Sequence, residues 1–387
     1  MKIYLQIFLF FVISFAGSFQ FLLERDFNNS TPGSVDSVLT VKFTAVGDLM
    51  CHSVQYQYAK VSKDSFDFIP VYREVQKYFD ESDFLFGNLE TVTAGIEKKY
   101  SGYPFFNSPD DYVKSLKVVG FDILATSNNH CLDQGEKGLR RTIDVIKNNG
   151  IQYVGTYVSG QDRDSIRLIE SNGIKIAILS YTYGTNGLPI PQGKEYLVNL
   201  IDTLLIKRDI EKANSLKPDI LIVYYHIGEE YKREPSTYQK SIVKKTFDYG
   251  ADIVLSSHPH VLQPVDYYNT TSKRIDTGFV VYSMGNFISN QQWRYSDAGV
   301  IVSFNINKVL PADSVFISDI TFIPTWVFKG RINDKNEYLI LPSAYYGNDS
   351  LYTFLSIKDR EKMKQSYYDS KEILTKYNNN FTIHSSE

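Results

Sequence analysis

The sequence predicts an α/β fold, and two observations carry that prediction. Short, almost continuously apolar runs rich in β-branched and aromatic residues alternate with amphipathic helical segments along residues 41–306. Polar, metal-competent side chains recur where those runs stop, the place where open α/β sheets bind ligands. Composition agrees, since 43% hydrophobic and 22% charged residues are ordinary for a globular chain. The 29 Tyr and 25 Phe favour strands. A formal net charge of −3, with both signs mixed along the chain, leaves no basic patch and argues against nucleic acid as a partner.

Taken in order, residues 1–23 hold one lysine at position 2 and an apolar core from Ile7 to Gly17. That suits a secretory signal peptide, with Ala16-Gly17-Ser18 as a small-residue cleavage site. Counted on through Phe19–Leu23, the run reaches about 20 residues, enough for an uncleaved membrane anchor. Gln6 and Gln20 weigh slightly against the anchor, and no cysteine follows the apolar core to take a lipid. Either reading implies an exported body, membrane-anchored or secreted, on the extracytoplasmic side. Residues 24–40 are polar and turn-rich and read as a linker.

Strands are expected at 41–49, 83–90, 121–129, 175–183, 219–227, 252–258, 279–287 and 300–306, several apolar enough to be buried on both faces. Helices are expected at 110–120 and 136–150, the second stopping on Gly150 in a C-cap role. Residues 307–387 read as a separate C-terminal extension with short extended runs around ITFIPTWVF and YLILPS. One amphipathic helix follows over 358–377, and the last ten residues are expected to fray.

The strand ends concentrate the chemistry. VKFTAVGDLMCH ends in Asp48 and His52, DFLFGNLE in Glu90, and FDILATSNNH in Asn128, Asn129 and His130. DILIVYYH ends in His226, and DIVLSSHPH in His258 and His260. Five of the six histidines thus fall at strand ends; His384 alone lies in the tail. Singly, each has a plain reading: a satisfied polar residue, a turn, or a surface charge. Together, carboxylate, amide and imidazole suit one or two divalent ions, Mn, Zn or Fe before others. Two such ions, about 3.5–4 Å apart, share a bridging carboxylate and clamp both ends of an in-line displacement. The alternation of a strand would point His258 and His260 to one face, so that each could serve a different ion. Cys51 and Cys131 flank this constellation; two small buried side chains are expected, although export permits a bridge.

In order and spacing, VGDLMCH, DFLFGNLET, GFDILATSNNHCLDQGEKGLRRTI, HIGEEY, GADIVLSSHPHVLQP and YSMGNF resemble the motifs of the CapA family of poly-γ-glutamate capsule synthesis proteins. The resemblance covers residues 41–305. It implies a fold like that of calcineurin-like metallophosphoesterases, a four-layer sandwich of two mixed β-sheets flanked by helices. It further implies a dinuclear site: Asp48 and His260 on the first ion, Glu90 bridging, and Asn129, His226 and His258 on the second. His130 resembles the histidine that protonates the leaving group or steadies the transition state.

Two departures stand out. The expected Asp-x-His reads Asp48-x-Met50, with His52 as a substitute ligand, and the bridging residue is Glu instead of Asp. Asn128, Glu230, Tyr231 and Asn286 are candidates for further ligands or for orienting them. Asn186 in YTYGTNG and Arg294 are candidates for substrate contact.

Two functions follow as expectations. One is an exported metal-dependent hydrolase or transferase acting on a phosphoester or an acyl/amide bond of an anionic envelope polymer. The other is a non-catalytic, membrane-tethered component of a polymer synthesis or export complex, working beside membrane-embedded capsule synthesis proteins.

Overall fold

The apolar runs pair into two mixed sheets in the computed structural model, which describes residues Ser37–Ser385. The strands relevant to the site are β1 (Ser37–Leu49), β2 (Phe84–Leu89), β3 (Ile123–Ala125), β4 (Gln152–Val154), β5 (Arg167–Ser171), β6 (Ile174–Thr182), β7 (Ile220–His226) and β8 (Ile253–Ser257). They continue with β9 (Val265–Asn269), β10 (Thr277–Val281), β11 (Asn286–Ile288), β12 (Ala298–Leu310), β13 (Ser314–Ile332), β14 (Lys335–Pro342) and β15 (Thr382–Ile383). The first sheet runs β14-β13-β12-β1-β2-β3-β4, with β11 beside β1 and β15 beside β13; the second runs β9-β10-β8-β7-β6-β5. Within each sheet the central strands are parallel, and antiparallel strands close an edge.

Helices cover the outer faces: α1 (Ser53–Ala59), α2 (Asp110–Val118), α3 (Gly135–Asn148), α4 (Thr203–Ser215), α5 (Thr237–Asp248) and α6 (Ile357–Leu374). Three cores lie between the layers. Val41, Phe43 and Phe86 of the first sheet meet Ile176, Ile178 and Ile222 of the second. On the outer side of the first sheet, Leu85 and Leu124 pack against Leu116, Leu139, Ile143 and Ile146. On the outer side of the second, Leu179, Leu221 and Val254 pack against Ile206, Ile210, Ile242 and Phe247. The four-layer sandwich is therefore the observed architecture. Leu139, Ile143 and Ile146 recur on one face of α3, and burying each stabilises by about 1.5–3 kcal/mol. That helix ends in a Schellman motif: Gly150 adopts φ 69°, its N–H donates to Lys147 O, and Ile151 N–H donates to Ile146 O.

Three sequence boundaries are corrected. The expected linker at 24–40 gives way to β1 at Ser37, whose first residues pair with Lys308–Leu310; the rest of that linker and residues 1–23 lie outside the described residues. Among the described residues no helix is long and apolar enough to cross a membrane. The proposed break at 306 falls inside β12, and β13 and β14 extend the first sheet, so 307–342 belongs to the body. Hairpin-linked edge strands carry no helix between them, which makes them read as an appendage. The tail is also pinned: β15 pairs with β13, and His384 N–H donates to Phe322 O at 2.8 Å. Two strands fall short of the predicted range by more than one residue at an end. The run 121–129 is a strand only over β3, and 279–287 divides at Tyr282–Gly285 between β10 and β11.

That division has a purpose in the packing. Gly285 turns with φ 66°, and its carbonyl accepts from Asp48 N–H at 3.0 Å while pressing on Gly47. A Cβ on Gly47 would lie 2.0 Å from Gly285 O. Glycine is required there because two backbones meet directly beside Asp48. Gly47→Ala is expected to cost about 3 kcal/mol in urea unfolding, as forced overpacking does. Gly160→Ala, with open space around its Cβ, is the control and stays within about 0.5 kcal/mol.

Candidate metal centre

The carboxyl ends of β1, β2, β7 and β8 converge, so the polar residues that follow each apolar run meet in one buried cluster. Asp48, Glu90 and His226 are fully buried, and Asn129, His130, His258 and His260 nearly so. Three groupings of ligand-capable atoms emerge, each with all atoms within 4.8 Å of one another, and two of them consist of buried residues only: Asp48, Glu90 and His260, and Glu90, His226 and His258. Glu90 is common to both. Asn129 joins the second, its Oδ1 accepting from His226 Nε2 at 2.8 Å.

Amides hold these groups in place. Asn88 Nδ2 donates to Asp48 Oδ1 at 2.8 Å and faces His226 Nδ1 at 3.2 Å, leaving His226 Nε2 directed at Asn129 and, at 3.6 Å, Glu90 Oε1. Asn128 donates to Asn88 Oδ1 and Leu89 O and accepts from His130 N–H. Asn128 thus orients the cluster through these three hydrogen bonds. Asn129 is itself aimed by Asn186, whose Oδ1 accepts from Asn129 Nδ2 at 3.1 Å. His260 Nδ1 lies 3.2 Å from Asp48 Oδ2 and 3.1 Å from Asn286 Oδ1, which leaves its Nε2 on the side of Glu90 Oε1, 3.8 Å away. Asn286 is paired in register with Asp48 across β11 and β1, and its Nδ2 is spent on His260 O, Gln291 and Ser296 O.

The strand-alternation argument for His258 and His260 is replaced by another geometry. β8 stops at Ser257, and both histidines have positive φ, 106° and 56°. A non-glycine residue there costs about 1–3 kcal/mol and persists only where its surroundings hold it. The loop after β7 supplies that hold: Tyr231 N–H donates to Pro259 O at 2.7 Å, and Gly228 leaves room for the Pro259 ring. The imidazoles of His226 and His258 come within 4.7 Å as a result.

Electrostatics suit cations. Neither Glu90 oxygen has a hydrogen-bond partner, and neither does His258 Nδ1. Burial, then the Asp48 carboxylate beside it, pushes the Glu90 carboxyl well above the ordinary range. Burial first, then the neighbouring imidazoles, holds His226 and His258 well below theirs. They are neutral, as metal ligands must be. A buried carboxylate with two orphaned oxygens, flanked by neutral imidazoles with no thiolate among them, fits a divalent ion of the Mn, Zn or Fe kind.

Other predicted residues fall elsewhere. His52 does not enter either grouping: it caps α1, its backbone N–H donating to Gln55 Oε1 at 2.7 Å, and its ring packs on Phe106. Burial lowers its pKa to about 4. Met50 is buried, and its carbonyl accepts from Gln55 and Tyr112. Glu230 is exposed and groups with His258 and His260, and the Tyr231 ring stands 6.1 Å from that of His260. Arg294, expected to meet an anionic substrate group, instead forks onto Asp369 of α6 through Nε and Nη2. Cys51 and Cys131 are buried free thiols, each pushed up to about 12 by burial.

Three residues went unpredicted. Asn88 was legible, two positions before Glu90 and hence on the same face of the extended chain. Asp133, three residues after His130, accepts from His130 Nδ1 at 2.8 Å and from Phe106 N–H. Tyr183 leans on His258 with ring centroids 4.4 Å apart, a contact between distant loops that no local signal announces.

Two sheets that gather carboxylates, amides and neutral imidazoles at their strand ends define a sandwich protein with a candidate metal centre. The profile of the family described as "Bacterial capsule synthesis protein PGA_cap" matches residues 42–291, and the chain belongs to that family. It is 31% identical over 272 residues to the capsule biosynthesis protein CapA of Bacillus anthracis, covering 68% of this chain and 63% of that one. It is 28% identical over 279 residues to the PGA biosynthesis protein CapA of Bacillus subtilis, covering 70% and 69%. Among solved structures it is similar to the NAD nucleotidase of Haemophilus influenzae, with a TM-score of 0.47, 12% identity, and 91% of this chain and 65% of that one covered. The calcineurin-like phosphoesterase YfkN of Bacillus subtilis gives 0.42, 13%, 86% and 98%.

Proposed function

We propose that the chain is an exported, metal-dependent hydrolase or transferase of capsule or related envelope polymer synthesis, acting at a phosphoester or acyl/amide bond. The observation that carries this reading is Glu90, buried with both oxygens unpartnered and shared by two histidine-containing groupings. Asp48 and His260 would hold one ion, and Asn129, His226 and His258 a second, with Glu90 between them. Two divalent ions supply Lewis acidity and lower the pKa of a water.

The remaining work falls to the chain's own residues. His130 is held by Asp133 at Nδ1, so its Nε2 is the atom left to pass a proton to a departing oxygen or nitrogen. Phe106 packs edge-on against His130 at 4.7 Å and fixes the ring's other face. Asn88 and Asn128 prevent Asp48 and His226 from rotating away. The names of the Bacillus relatives support a capsule or poly-γ-glutamate setting, with an anionic polymer as substrate and membrane-embedded synthesis proteins as neighbours.

One observation favours a second reading. Met50 stands where a histidine is expected, which weakens the first ion's ligand set and suits a non-catalytic, membrane-tethered component. The His130–Asp133 pair favours the enzyme, because a structural ion has no use for a held proton donor. Metal analysis of the full-length protein, with assays on a generic phosphodiester and on poly-γ-glutamate in Mn, Zn or Fe, separates them. The enzyme reading expects about two ions per chain and turnover of one substrate. Bound metal without turnover of either supports the second reading, and a chain that binds no metal sinks both.

A further inference from the structure

The first ion's position is one ligand short of the second. Asp48, Glu90 and His260 make up its grouping, whereas Asn129, His226 and His258 stand around the same Glu90 at the other. His52, the sequence's substitute for the absent histidine, caps α1 instead. The third grouping answers the deficit. A Glu230 carboxylate oxygen, from the loop after β7, lies within 4.8 Å of ring nitrogens of both His258 and His260. We propose that Glu230 is the remaining protein ligand of the first ion and makes that position the more oxygen-rich of the two. The inference rests on the proposed two-ion centre and specifies how its weaker half is held.

The backbone keeps Glu230 beside the histidines. Ile227 N–H donates to Ser257 O at 2.9 Å at one end of its loop, and Tyr231 N–H donates to Pro259 O at 2.7 Å at the other. Gln239 of α5 ties the same loop down, its Nε2 donating to Ile227 O and to Gln263 Oε1, while Gln263 Nε2 donates to Lys232 O. The loop is thus fastened to the very turn that presents His258 and His260. Glu230 is exposed, yet its charge is felt in the centre: after burial, it is the largest influence raising the Tyr183 hydroxyl to about 12. In the groupings it adjoins, both Glu90 oxygens and His258 Nδ1 are buried without hydrogen-bond partners. His260 Nδ1 is engaged by Asp48 and Asn286, so Nε2 is the atom free for an ion.

The chemistry of the two positions then differs. Asp48, Glu90 and Glu230 with one imidazole offer mainly hard oxygens, which suit Mn; His226 and His258 give the second position the imidazoles that suit Zn or Fe. Charge agrees with an anionic polymer as substrate. Two divalent ions against three carboxylates leave a net positive charge, and the exposed Lys232, two residues after Glu230, adds another.

To test this, the full-length protein is stripped with EDTA and titrated with Mn, free Mn being read from its electron paramagnetic resonance signal. The parent is expected to fill two sites. Glu230→Gln, at an exposed position that spares the fold, is expected to keep one site and weaken the other by about 10–100-fold. Glu229→Gln removes the same charge one residue away and belongs to no grouping, so it should stay within about twofold at both. A Glu230→Gln variant that fills both sites like the parent overturns the inference, as does a Glu229→Gln variant that loses the ion equally. A parent with fewer than two Mn sites overturns it together with the two-ion reading. Because no substrate is present, an inactive parent whose ion is lost in Glu230→Gln upholds the inference while sinking the enzyme reading.

Discussion

Glu90→Gln is expected to stabilise the metal-free protein while abolishing its stabilisation by divalent ions. In the metal-free state a carboxylate with no hydrogen-bond partner sits beside Asp48 in full burial. Replacing it with a neutral amide of the same shape removes the cost of keeping that carboxyl either charged or protonated above its ordinary pKa, for a gain of about 1–3 kcal/mol in urea unfolding at neutral pH. With ions present the sign reverses, since the shared ligand is gone. A parent protein gaining about 3–4 kcal/mol at ion concentrations of 100–1,000 times Kd would be compared with a variant gaining almost none.

The pH dependence follows the same carboxyl. Its folded pKa lies above its ordinary value of 4.5, so its contribution to stability is fully present below 4.5 and is lost as pH rises through the folded value. The metal-free parent should therefore lose stability over that range, and Glu90→Gln should not. Metal binding needs the carboxylate, so the stabilisation by ions should grow as pH rises. A variant less stable than the parent without metal would contradict this account of Glu90.

His130→Gln is expected to lower kcat by about 10²–10⁴-fold on whichever substrate is turned over, with metal content unchanged. The ring is not in either ligand grouping, so its loss should spare the ions. Glutamine can still hydrogen-bond Asp133, which limits damage to the packing around Phe106. Asp133→Asn should lower kcat less, and KM little, because it only loosens the hold on His130 Nδ1. Loss of metal in His130→Gln, or unaltered kcat, would remove His130 from proton transfer.

Much of the centre was legible because its residues sit where periodicity breaks. An apolar run that ends abruptly in Asp48, Glu90 or His226 announces both a strand and its polar end. The misreadings share a cause. Arg294 looked free because its partner, Asp369, lies 75 residues away on a helix that the sequence read as an appendage. His52 looked like a replacement ligand because it lies four residues from Asp48. The chain has already turned there into α1, where His52 serves as the cap. The neighbours His258 and His260 both reach the cluster, but a left-handed turn and not a pleat brings them there.

The sequence by itself determined the α/β class, the buried central strands, and the residue types that end them, since burial and alternation are written locally along the chain. Tertiary structure alone decided which of those ends meet in one cluster and which are held apart. Asn88 reaches Asp48 and His226 across 40 and 138 residues, and Tyr183 reaches His258 between loops. Such contacts depend on strand order and on register, where a one-residue slip turns every side chain to the opposite face. Only the assembled sheets settle both.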